Sequence, residues 1–132
     1  MKYIVKLLKN PLTIWLKRIL NNIILELDNQ YLEIGYMSSI RKSKFKKYNT
    51  VGDFTSLNKV SIDDFSYVSN LTNIFNCEIG KFCSIGSDCK IGLSIHPKNI
   101  ISTHPFFYKK FKKGKFNLKE LNFSDQSEKI II

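Results

Sequence analysis

The feature that most narrows what this chain can fold into is a repeat. Aliphatic or aromatic residues stand at Ile34, Ile40, Phe45, Val51, Leu57, Ile62, Val68, Ile74, Ile79, Ile85 and Ile91. The steps between them run 6, 5, 6, 6, 5, 6, 6, 5, 6, 6, so the short step always returns in the same phase and three steps close a period of 17 residues. Phe45, Ile62 and Ile79 then form one column, Val51, Val68 and Ile85 a second, and Ile40, Leu57, Ile74 and Ile91 a third. A fixed period of this length is the signature of a solenoid. Hairpins would need longer runs of alternation and turns such as Asn-Gly, and neither occurs.

The flanking positions agree. Two residues before each hit stands a mostly small residue, as at Ser38, Ser43, Thr55, Ser66, Thr72, Cys77, Cys83 and Cys89. Residues i and i−2 of a strand share a face, so each hexad presents one large and one small side chain inward. One residue after several hits stands glycine, at Gly35, Gly52, Gly80, Gly86 and Gly92. The sequence places the corner of the coil there, because glycine tolerates turn geometry. Three sides per coil make a triangular prism. A single coil buries too little to offset its ordering entropy, so coils must stack in series.

Composition fits one domain around such a core. The 132 residues are 43% apolar and 24% charged, too balanced for a disordered chain. The formal charge of +10 is uneven. Residues 1–47 hold 10 basic and 3 acidic residues, residues 48–108 hold 4 and 5, and residues 109–132 hold 7 and 3. Nucleic acid or an anionic membrane surface could exploit a basic head and tail. A chain of 19 Lys, 18 Ile, 12 Asn and no Ala also carries such charge through AT-rich coding bias alone. No recognised module or stacking platform accompanies the charge, so nucleic acid is not an expected partner.

The head of the chain, residues 1–30, reads as a basic amphipathic segment, with helix expected over residues 2–20 in two pieces. Asn10-Pro11 suits an N-cap followed by proline at the first helical position. Leu12, Trp15, Leu16, Ile19 and Leu20 share one face. The expectation is a cap over the open end of the coils, with peripheral contact of residues 1–20 to an anionic membrane as the alternative. The charge-free stretches Asn10–Leu16 and Ile19–Leu25 fall well short of the ~18–20 apolar residues of a membrane span. No small-residue cleavage site follows them, and a cytoplasmic location is expected.

The run CEIGKFCSIGSDCKIGLSIHP from Cys77, continued by STHPFFY, resembles the hexapeptide-repeat acyltransferases. It is most similar to their sugar and xenobiotic O-acetyltransferase branch, over roughly residues 31–108. The resemblance implies an all-β, left-handed parallel β-helix, a homotrimer, acetyl-CoA as co-substrate and a sugar, polysaccharide or other small-molecule hydroxyl as acceptor. The handedness rests on the resemblance alone, since ordinary parallel crossovers are right-handed. In such enzymes the base lies a few residues beyond the last hexad, ahead of a segment like Ser102-Thr103-His104-Pro105-Phe106. His96 matches that base, with Ser102 and His104 on the substrate side.

The chemistry is consistent. An alcohol attacks a thioester only as its proton is removed, and neutral imidazole is available for this near physiological pH. No acyl-enzyme is required. Cys77, Cys83 and Cys89 recur at the small inward position, which suits apolar fillers better than a disulfide framework, a metal site or a catalytic thiolate. Two histidines with no third ligand at a convincing spacing make a metal centre unexpected. No nucleotide-binding glycine motif occurs.

Four regions follow. They are the basic helical head 1–30, the coils 31–92, an extended loop 93–128 carrying both histidines with a lysine-rich aromatic stretch at Phe106–Phe116, and residues 129–132 as the start of a further coil. Enzymes of this kind continue with more coils after the loop. The chain therefore reads as a truncated acetyltransferase, expected to bind acetyl-CoA weakly or not at all and to have little activity. The alternatives are an inactive solenoid serving as a structural or trimerising module, and an acetyltransferase acting on an antibiotic.

Overall fold

The computed structural model describes residues 10–93, 95, 96, 101–104, 107 and 128–132. Among these residues one helix, α1 (Pro11–Asp28), precedes ten short strands. These are β1 (Leu32–Ile34), β2 (Ser39–Arg41), β3 (Lys44–Phe45), β4 (Asn49–Val51), β5 (Ser56–Ile62), β6 (Tyr67–Val68), β7 (Asn73–Ile79), β8 (Ser84–Ile85), β9 (Lys90–Ile91) and β10 (Ile130–Ile131).

Every pairing is parallel, and up to Ile91 every partner lies 17 residues away, as in Val51 with Val68, Leu57 with Ile74 and Ile62 with Ile79. The sheet β1-β4-β6-β8 stacks four coils on one side of a parallel β-solenoid. The seven-residue strands β5 and β7 run round a corner and serve the other two sides, β5 pairing with both β2 and β3. All eleven repeat residues point into this prism. Leu57, Ile62, Val51 and Val68 are fully buried, while Ile34, Phe45 and Ile91 are half-buried against the same core.

The corners are not where the glycines stand. Left-handed backbone occurs at Tyr31, Met37, Lys42, Tyr48, Phe54, Lys59, Phe65, Leu71, Asn76, Phe82 and Asp88, with φ between 49° and 61°. Each of these lies three residues before an inward apolar residue, and none is glycine. L-residues adopt this region at roughly 1–2 kcal/mol each, a cost that the stacked ladders on both sides must outweigh. Gly35 and Gly52 serve close approach instead. A Cβ on Gly52 would lie 2.6 Å from the Asn70 amide nitrogen of the next coil.

The small inward residues form a polar interior. Ser38 Oγ donates to the Gly52 carbonyl (2.6 Å) and accepts the Thr55 N–H (3.0 Å). Thr55 Oγ1 donates to Ser69 (2.9 Å) and accepts from Thr72, and Thr72 Oγ1 donates to Gly86 (2.9 Å) and accepts from Cys89. Ser66 plays the same part on another side, between Gly80 and Cys83. Each hydroxyl therefore ties one coil to the next where water cannot reach. Outside, Asp64 accepts the Lys47 N–H of the preceding coil and lies 3.3 Å from Lys81 Nζ. That backbone hydrogen bond, with help from Lys81 and against some desolvation, holds its carboxyl below the usual carboxylate range.

Helix α1 starts as its sequence indicates. Asn10 accepts the Thr13 N–H through its side chain (2.8 Å), and proline follows. It runs unbroken to Asp28, eight residues past the expected end, and residues 1–9 lie outside the described ones. It does sit over the first coil, through polar side chains. Glu26 Oε1 accepts the Ile34 N–H (2.6 Å), Asn22 Nδ2 donates to the Ser38 carbonyl (3.1 Å) and Arg18 Nη1 donates to the Met37 carbonyl (3.3 Å). These groups stand in for the strand that a preceding coil would supply. Leu25 packs on the core from the same side. The leucine face expected to seal the coils points outward instead.

Candidate functional site

The repeat breaks at one defined place. Gly92 has φ +70°, and a Cβ there would overlap the Phe75 carbonyl oxygen, so only glycine fits the exit. The solenoid resumes with β10, where Ile130 pairs with Cys77 and Ile131 with Glu78. Ile130 thus holds the slot that residue 94 would hold in an unbroken repeat. Ile132 continues the ladder, accepting the Gly80 N–H (2.8 Å) and donating to Glu78 (2.9 Å). Residues 93–128 are an in-phase insertion and form a compact unit of their own.

Within that unit, Leu93, Ile95 and His96 are exposed. His96 follows Gly92 by four residues, and no hydrogen bond or ion pair joins it to another described residue. Ser102 and His104 are brought together locally. The His104 N–H donates to Ser102 Oγ (3.2 Å), and the His104 carbonyl accepts the Phe107 N–H (3.0 Å). His104 is exposed. The stretch Phe106–Phe116 lies outside the described residues except for Phe107.

A second feature belongs to the solenoid itself. Lys42, Lys44, Lys59 and Lys129, with Ser61, Cys77 and Glu78, line a groove of about 260 Å³ across the coils. Lys129 pairs with Glu78, and Lys59 Nζ stands 5.5 Å from the centre of the Phe75 ring. Lys42, Lys59, Asn76 and Lys129 occupy equivalent positions on successive coils, which is why the cations line up. Such a row suits phosphate oxygens.

The cysteines stand in three different inward columns, and Cys77 is buried. Burial pushes its thiol up, with the Glu78 charge adding to the effect, so it carries little thiolate. Among the described residues no group of three His, Cys, Asp or Glu side chains could hold a metal ion.

Two features escaped the sequence reading. Tyr31, Tyr48, Phe65 and Phe82 stack flat along one corner, with centroids 4.5, 4.8 and 5.2 Å apart. Their spacing of 17 is present in the sequence, but it parallels the stronger inward repeat three residues away. The other is a groove of about 450 Å³ between α1 and β2, lined by Lys17, Arg18, Asn22 and Arg41 among others. Asn22 Oδ1 is buried there with no hydrogen-bond partner. Only the distant pairing of α1 with the first coil creates it.

No family model, curated protein or solved structure matches the chain.

Proposed function

We propose that this chain is an acetyl-CoA-dependent O-acetyltransferase unit acting on a sugar or other small-molecule hydroxyl, with His96 as general base. The observation that carries the reading is the place of His96, four residues into the segment that interrupts the solenoid at Gly92, after a CEIGKFCSIGSDCKIG run similar to hexapeptide acetyltransferases. In the proposed reaction His96 takes the acceptor's hydroxyl proton as the oxygen attacks the thioester carbonyl carbon. The carbon–sulfur bond then breaks, and the departing thiolate recovers a proton. A left-handed coil and a homotrimer belong to the same proposal.

A second reading, an inactive solenoid that serves as an assembly module, is favoured by the lack of any orienting partner on His96 among the described residues. One experiment separates them. Free thiol release from acetyl-CoA is followed with a panel of sugar acceptors for the wild type, His96→Ala and His104→Ala. Under the first reading His96→Ala lowers the rate by about 100-fold or more, while His104→Ala retains most of it. Acceptor-dependent release that survives His96→Ala, or no release at all, defeats that reading.

A further inference from the structure

Helix α1 turns its polar edge to the solenoid and its apolar edge away from it. Arg18, Asn22 and Glu26 bond to the first coil and Leu25 packs on the core. Leu12, Leu16, Leu20, Ile23 and Leu27, spaced by four, four, three and four, make a stripe on the other side. They are between 45% (Ile23) and 80% (Leu27) exposed, and Ile24 beside them is 58% exposed. A helix held by its polar residues has no use for such a stripe within its own fold. Something apolar is meant to meet it.

Charge indicates what. Residues 1–25 include Lys2, Lys6, Lys9, Lys17 and Arg18 and contain no Asp or Glu. Lys17 borders the stripe, one turn from Leu20, and lines the same groove as Arg18 and Arg41. No carboxylate pairs with these three among the described residues. Trp15, the chain's single tryptophan, flanks the stripe and is only 36% exposed. Indole at the edge of a leucine face with cations beside it is the chemistry of a bilayer interface. No helix among the described residues is long and apolar enough to cross a membrane, so the fitting posture is in the plane of the surface.

We propose that α1 docks this chain onto an anionic lipid bilayer, with Leu12, Leu16, Leu20, Ile23 and Leu27 in the acyl boundary and Lys17 and Arg41 against lipid phosphates. The proposal is independent of the acetyltransferase reading, and its test uses no activity. The full chain is mixed with vesicles of phosphatidylcholine alone or with about 30% phosphatidylglycerol, a content chosen to give a strongly negative surface. Binding is read by sedimentation and by Trp15 emission, the only indole signal.

The expected result is binding and a blue shift with the anionic vesicles only, weakening as salt rises. Lys17→Gln and Arg41→Gln should each weaken binding about five-fold. Leu16→Ser and Leu20→Ser, at exposed sites that leave the fold intact by circular dichroism, should each weaken it by about ten-fold or more. No binding, equal binding to phosphatidylcholine alone, or insensitivity to the leucine changes overturns the proposal. So does concentration-dependent self-association in lipid-free buffer that the leucine changes abolish, since the stripe then covers a second copy.

Discussion

At the residue scale the fold rests on positions whose chemical identity is weakly constrained outside and strongly constrained inside. Thr55 shows the inner rule. Its buried hydroxyl donates to the Ser69 carbonyl and accepts the Thr72 N–H. Thr55→Val keeps the shape and removes both bonds, and should cost about 2–4 kcal/mol, seen as a lower urea midpoint with an unchanged slope. Thr55→Ser should cost under about 1 kcal/mol because the oxygen remains. Equal losses in the two variants would show that packing, not the hydroxyl, matters there. The inward apolar residues were legible because each carries its own signal. The corners were not. Tyr48, Lys59 and Leu71 announce no left-handed backbone, which the stacked coils impose on them. The sequence reading gave the corner to glycine, the residue type that most readily adopts it. His96 is singled out only by a motif resemblance, because an exposed imidazole with no periodic neighbours says little by itself.

At the scale of elements, α1 and β10 taught different lessons. The helix start was readable from Asn10 and Pro11, since capping is local. Its outward leucine face was not, because amphipathicity shows that a face wants cover without saying which neighbour provides it. The strand β10 was glimpsed as a hexad, but its register needed coordinates. Ile130 joins Cys77 as though residues 93–128 were absent. Excising Leu93–Glu128 and joining Gly92 to Lys129 should therefore leave the solenoid folded, with its β-type circular dichroism and its melting midpoint within a few degrees of the parent. Loss of cooperative melting in that variant would mean that the inserted unit holds the coils together rather than merely interrupting them.

At the scale of the whole molecule, a stack of coils has no centre, only a middle and ends. Strands β5 and β7 are paired on both sides, whereas β8 and β9 are paired on one side only among the described residues. Amide hydrogen exchange should be slowest over Leu57–Ile62 and Ile74–Ile79 and at least about ten-fold faster over Ser84–Ile91 through local opening. Uniform protection across the coils would show that the stack opens only as a unit. The opposite end is governed by the helix. Parallel coils carry a standing hazard, because any bare rim is a template on which another molecule can continue the ladder into a fibre. Glu26, Asn22 and Arg18 already occupy the Ile34, Ser38 and Met37 backbone groups that such a newcomer would need. The first coil is thereby shielded from polymerising, and loss of those three side chains would turn a finite particle into a growing one.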